Sequence, residues 1–318
     1  MTAPGTPARS WSPRRIAVTL SQLAVFAIVA YYVYVTVTSL LRGEGLDALR
    51  IDWLYLAGSV ALLGLYYVMY AHSMALILRH LGDDVGLRDA FELNYVSALG
   101  KYVPGGVWHV VGRFAMAPAL GVRRTHIVVT TVFENALGVV SGIIVAAAGL
   151  GLGAADTIGI ATWIPVAIVA SSMVLMHPAI FGRVMQLGLR LMGREGEVPA
   201  LTYPQIIGQV LYRALAWVVA GAAFLLYRNA IVTDPVMSLG LYSGAYAAAS
   251  IAGLLVLFAP GGIGVREAVL TAVLTPAYGP GIAGTIGLSS RIWSTLVELA
   301  MSGIALLLSA QRKRRDAE

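Results

Sequence analysis

The 318-residue chain has no cysteine, so disulfides, thiolate metal sites, iron–sulfur clusters and cysteine nucleophiles are all excluded. Charge is scarce as well. Only 12% of residues are Asp, Glu, Lys or Arg, against about 25% in a typical soluble domain, and a water-soluble globular enzyme does not fit that composition. Lysine is nearly missing, with Lys101 and Lys313 standing beside 20 arginines. There is no Walker loop and no dinucleotide fingerprint, so neither ATP bound within the chain nor a nucleotide cofactor is expected. His72, His80, His109, His126 and His177 show no metal-ligand spacing, so no metal is expected either. The formal net charge of +6 does not point to nucleic acid, because in a membrane protein the position of each charge matters more than the total.

What the sequence does have is apolar length. Hydrophobic residues make up 58% of the chain and the mean hydropathy is +0.78. The apolar residues come in runs of about 20, the number a helix needs to cross a bilayer. Runs at 16–41, 53–78, 125–151, 159–178, 204–227 and 282–310 predict six spans. Residues 1–15 read as a polar cytoplasmic N-terminus, 16–310 as one transmembrane domain and 311–318 as a basic cytoplasmic tail. No cleaved signal peptide is expected, since the first apolar run is too long for one. The fold class is therefore all-α, a polytopic integral membrane helical bundle.

Two further apolar regions, 89–120 and 238–278, are each interrupted by the same string. One reads Lys101-Tyr102-Val103-Pro104-Gly105-Gly106-Val107, the other Leu257-Phe258-Ala259-Pro260-Gly261-Gly262-Ile263. Proline lacks an amide hydrogen and clashes with the preceding turn, while paired glycines admit positive φ, so each string ends one helix and starts another. Irregular backbone at membrane depth survives only where protein or water satisfies it. Both breaks are therefore expected to face a cavity or the bundle interior.

Basic residues orient the chain. If the six runs cross and both broken regions return to their own side, 14 basic residues share a side with the termini, among them Arg79, Arg88, Arg123, Arg183 and Arg312, and only Arg42, Arg50 and Arg228 lie opposite. Both termini are accordingly expected in the cytoplasm of a plasma-membrane protein. The broken regions then enter from opposite sides as inverted re-entrant hairpins, within inverted repeats of about 16–151 and 159–310.

Eight charges remain in or near apolar segments: Lys101, Arg113, Arg213, Arg266, Arg291, Glu134, Glu267 and Glu298. A charge at the centre of a membrane helix costs about 2.5–3.5 kcal/mol on insertion scales, so such residues usually mark a pathway or a partner. Their order repeats. The first break is followed by Arg113 and then Glu134 on the next span, the second by Arg266-Glu267 and then Arg291 and Glu298. Arg291, Thr295 and Glu298 fall on one helix face. Each break also opens a half-helix whose first amides favour an anion. These points select a substrate site of Lys101, Pro104, Gly105, Gly106, Arg113, Glu134, Pro260, Gly261, Gly262, Arg266, Glu267, Arg291 and Glu298. For Glu267 three roles stay open: neutralising the dipole of its own helix, pairing with an arginine, or meeting a cationic group. Tyr66, Tyr67 and Tyr70 read as packing residues, Trp53 and Tyr227 as members of an interfacial belt, and 179–203 as an amphipathic cytoplasmic helix and loop.

The stretch Ser97-Ala98-Leu99-Gly100-Lys101-Tyr102-Val103-Pro104-Gly105-Gly106-Val107-Trp108, with Gly112-Arg113 and Glu134 downstream, resembles the first signature of the lysylphosphatidylglycerol synthase transmembrane-region family. Phe258-Ala259-Pro260-Gly261-Gly262-Ile263-Gly264-Val265-Arg266-Glu267-Ala268, with Arg291 and Glu298, resembles the second. In that family the region forms the flippase part of multiple peptide resistance factors, and the resemblance implies movement of a lipid between leaflets. The chain ends at Glu318 without the aminoacyl-transferase domain of the full resistance factors, so lipid lysylation, and enzymatic activity generally, is not expected of this polypeptide. The expected partner is an anionic phospholipid or a polyprenyl-phosphate-linked lipid, with a separate lipid synthase or glycosyltransferase supplying it. The alternative is a membrane-embedded glycosyltransferase, or an accessory subunit of one, acting on polyprenyl-phosphate sugars. Short outer loops count against that alternative.

Overall fold

The computed structural model describes residues 51–102, 108–153, 201–232, 238–256, 262 and 264–315, with isolated helical positions at 167, 171, 183 and 186. Among them the protein is all helix, with no strand. Its elements are α1 (Trp53–His80), α2 (Leu87–Ala98), α3 (Trp108–Met116), α4 (Arg124–Gly153), α5 (Tyr203–Ile231), α6 (Leu239–Leu255) and α7 (Val265–Arg315). Helices α1, α4, α5 and α7 are long and apolar enough to cross a membrane. The predicted span at 16–41, and most of the predicted span at 159–178 and of the amphipathic segment at 179–203, lie outside the described residues.

Helix starts follow local chemistry. Asp52 caps α1 by accepting from the amides of Leu54 and Tyr55 at 3.0 and 3.2 Å. Asp89 accepts from Gly86 N–H ahead of α2, and Gln205 from Thr202 N–H ahead of α5. In each case a side chain takes an amide at the helix start that would otherwise lack a partner.

Two hairpins set the architecture. In the first, α2 and α3 fold back so closely that a Cβ on Gly100 would stand 2.7 Å from the Trp108 backbone, and one on Gly112 3.3 Å from Ser97. The hairpin's two roots meet: Arg123, beyond the second arm, donates to Asp83 Oδ1 and Leu81 O, before the first arm, at 3.1 and 3.0 Å. His126 completes the clasp on Asp83 Oδ2 at 2.9 Å. The broken region at 89–120 therefore returns to the end at which it entered.

The second hairpin pairs α6 with the first part of α7. Tyr242 and Tyr278 share a hydroxyl hydrogen bond at its root, and the Gly253 backbone lies against Gly262, whose φ is 66°. At Gly279, with φ 72° and ψ 166°, α7 stops being helical and reverses. Residues 266 and 294, 267 and 291, and 271 and 287 then face one another across the fold, each pair nearly symmetric about Gly279. Residues 280–315 run to the other end of the bundle, where Arg312 binds Asp89 and Glu92 at the root of the first hairpin. At the opposite end, Asp52 N–H donates to Ala230 O at 2.8 Å, and Arg228 lies 4.7 Å over the Tyr278 ring. The two hairpins thus enter the bundle from opposite ends.

Arg228 corrects one expectation. It is not an outer-loop charge but a buried residue in the last turn of α5, because the helix runs on past the apolar run and the Tyr278 face receives the guanidinium. Tyr227 is likewise buried, stacked on Trp293 at 4.7 Å, rather than part of a belt. Trp53, at the start of α1, is exposed. The main core joins α1, α5, α6 and α7 through Leu63, Phe224, Tyr242, Leu270 and Ile286, and the first hairpin packs on α1 and α4 through Met74, Leu93 and Ile127. Exposed Leu65, Leu211, Leu215, Ile292, Leu296 and Leu307 give the bundle an apolar exterior suited to lipid.

Candidate functional site

A cavity of about 280 Å³ opens between the hairpins. Asn94, Tyr95 and Ala98 of α2 form one wall, and Ser250, Ile251 and Leu254 of α6 face them. Tyr66, Tyr67 and Tyr70 of α1, Glu134, Asn135, Gly138 and Val139 of α4, Trp217 of α5 and Glu298 of α7 complete the lining. Several rings are held in place. Tyr95 Oη donates to Tyr67 O at 2.6 Å, Tyr67 Oη to Ser294 O at 3.3 Å, and Trp217 Nε1 to Gly138 O at 3.1 Å.

Behind this wall sits an ion cluster. Arg113 Nη1 donates to Glu134 Oε2 at 2.6 Å, and its Nη2 donates to Asn94 Oδ1. Arg213 Nη2 stands 3.6 Å from Glu134 Oε1, and its Nη1 donates to Glu134 O at 3.1 Å. The same guanidinium donates through Nε to Ser73 Oγ at 2.8 Å and covers the Tyr70 ring at 4.5 Å; Ser73 in turn donates to Gln209 Oε1 at 2.7 Å. Glu134 is 1% exposed and its two arginines 8% and 2%. Two cations thus share one carboxylate out of water, where attraction is strong and the loss of a partner is costly.

The second cluster lies at the start of α7. Glu267 Oε2 accepts from Gly264 N–H at 2.6 Å, and Oε1 stands 3.9 Å from Arg291 Nη1. Two of the roles left open for Glu267 are therefore filled together: it neutralises its own helix start and pairs with an arginine. The carboxylate occupies part of the amide end that the sequence offers to an anion. Arg266 lies 4.6 Å over the Tyr246 ring and donates from Nη1 to Ser294 Oγ at 3.3 Å. Its Nε and Nη2 have no hydrogen-bond acceptor among the described residues. Ser294 also takes the Tyr67 hydroxyl, which couples Arg266 to the cavity wall.

Of the predicted site residues, Glu134 and Glu298 line the cavity. Arg113 stands one bond behind it, and Arg266, Glu267 and Arg291 cluster on the folded-back α7. Lys101 falls in the 3-10 turn Leu99–Tyr102 that ends the first arm, and Gly262 packs against Gly253. Pro104, Gly105, Gly106, Pro260 and Gly261 lie outside the described residues.

Residues 20–302 match the family model described as the lysylphosphatidylglycerol synthase TM region. The chain belongs to this family. No curated protein matches it. Membership, with four apolar helices of spanning length among the described residues, makes it a helical membrane protein with a lipid-related role.

In this family member several residues of the cavity and its ion cluster carry little signal in the sequence. Arg213, which binds Glu134 behind the wall, counts there among the embedded charges but not among the ligands, and the lining residues Tyr66, Tyr67 and Tyr70 read as packing. The signal for the tyrosines is their spacing: positions 66 and 70 share a helix face, and an aromatic hydroxyl at that depth needs a partner. Asn94, Trp217 and Ser250 carry no comparable signal.

Proposed function

We propose that this protein moves an anionic, phosphate-bearing lipid or lipid-linked head group between leaflets. The observation that carries the reading is the cavity bounded by two hairpins entering from opposite ends, with buried ion clusters behind it. Broken helices meeting at mid-depth are how transporters place a site, because only there does irregular backbone find polar company. The hairpins act as inverted re-entrant elements of two repeats, and both termini lie in the cytoplasm of a plasma membrane. The head group enters the cavity while its acyl chains stay along the apolar exterior. Arg266 meets the phosphate, since its Nε and Nη2 have donor capacity to spare and charge-assisted bonds to phosphate are strong. Glu134 keeps Arg113 and Arg213 in place. Release to the far side follows rocking of one hairpin against the other. A separate lipid synthase or glycosyltransferase supplies the substrate.

The test is reconstitution of the full chain into vesicles with a fluorescent phosphatidylglycerol, reading how fast label becomes accessible to an impermeant quencher. The expected result is movement well above protein-free vesicles, reduced at least about tenfold by Arg266→Ala, the equivalent of one lost strong contact. Movement no faster than in empty vesicles refutes transport, and an Arg266→Ala rate equal to wild type refutes the phosphate assignment.

A further inference from the structure

Building on that transport reading, we propose that the cavity accepts a neutral sugar ring as the head group, leaving the lipid phosphate to Arg266, which Ser294 links to the Tyr67 wall. Among the described residues the lining is aromatic and acceptor-rich, and none of it is basic. Tyr66 lies between Tyr70 and Trp217, with ring centroids 6.2 and 5.8 Å away, so three rings make one continuous aromatic surface. The Trp217 ring is fixed by its bond to Gly138 O. Such a surface packs against the C–H face of a pyranose, while amide, hydroxyl and carboxylate groups such as Asn135, Ser250 and Glu298 accept or donate at its hydroxyls.

The charge arrangement argues against the other two head-group chemistries. A bare phosphate needs cations on the wall, yet Arg113 and Arg213 stand behind Glu134, engaged with it and with Asn94 and Ser73. An ammonium group needs a carboxylate with negative charge to spare; Glu134 already serves two guanidinium groups, and Glu298, the other carboxylate on the wall, is not without a partner. What remains is a ligand that is polar, uncharged and flat-faced. Hydrogen-bonding walls discriminate strongly for hydroxyls, because a ligand lacking them leaves buried polar groups without partners.

The experiment uses three probes of equal chain length and equal phosphodiester charge: glucosyl decyl phosphate, methyl decyl phosphate and decyl phosphoethanolamine. Binding to the purified 318-residue chain is read by native mass spectrometry in competition. The glucosyl ester is expected to bind at least about tenfold tighter than the methyl ester. Trp217→Leu should bring it down to the methyl ester's level, with Tyr66→Leu as the second variant if the first does not fold. Equal binding of glucosyl and methyl esters, tighter binding of the ethanolamine ester, or a preference that survives both substitutions would overturn the proposal. The vesicle assay separates the two readings. A sugar preference without movement of any lipid sinks transport alone, whereas equal movement of glucosyl and methyl lipids sinks the sugar site alone.

Discussion

Replacing Glu134 by glutamine removes one negative charge from between two buried cations. The distances make the consequence asymmetric. Arg113 Nη1 is 2.6 Å from Glu134 Oε2 and Arg213 Nη2 is 3.6 Å from Oε1, so Glu134→Gln leaves both guanidinium groups in one another's company without a counter-ion. Breaking a buried pair this way costs about 3–5 kcal/mol. The converse change, Arg113→Gln, leaves Glu134 with Arg213 as a one-to-one pair. It forfeits one short charge-assisted bond, about 1.5–3 kcal/mol, together with the donor to Asn94. Glu134→Gln is therefore expected to destabilise the protein more than Arg113→Gln, and the Arg113→Gln/Glu134→Gln double variant less than the sum of the two. Unfolding of the purified protein in mixed detergent micelles measures all three. If Arg113→Gln proves the more damaging substitution, or the two effects add, the shared-carboxylate account of this cluster is wrong.

Three further outcomes follow from backbone and surface geometry. Gly279→Ala should cost about 1–3 kcal/mol although nothing lies within 4 Å of the added methyl, because φ 72° with ψ 166° is open essentially to glycine alone; Gly208→Ala, at an exposed position of α5 with equal room, should stabilise by about 0.5–1 kcal/mol, both read as unfolding midpoints. Gly221→Val should abolish folded protein in size-exclusion chromatography, since any Cβ there collides with Ser243 of α6. Arg312→Ala, partly exposed, should lower stability by about 1 kcal/mol or less and lose its effect in high salt, while Glu92→Ala, 1% exposed and held by both Arg88 and Arg312, should cost more and stay insensitive to salt.

The hairpins were legible because proline and glycine act locally: Pro-Gly-Gly interrupts a helix wherever it occurs, and the described arms on either side stop where the strings begin. The reversal at Gly279, between Pro276 and Pro280, left only a boundary in the sequence, the gap between the apolar regions ending at 278 and resuming at 282. Partner choice was not legible. That Arg113 and Arg213 share Glu134, from α3, α5 and α4 respectively, depends on how those helices cross, which no spacing encodes. Arg228 misled for a related reason. It follows an apolar run and so resembles a loop charge, but the Tyr278 face that buries it belongs to a segment 50 residues later in the chain. The aromatic cavity wall had only its depth and the 66/70 spacing to announce it.

Residues 280–315 form a rod about 50 Å long at helical rise, longer than the hydrocarbon layer is thick. One tip is continuous through Gly279 with the α6–α7 hairpin, and the other grips Asp89 and Glu92 of the α2–α3 hairpin through Arg312. The two halves are thus braced by a single strut that bridges their opposite ends, so tilting either one loads the other through covalent bonds on one side and a salt-sensitive clasp on the other.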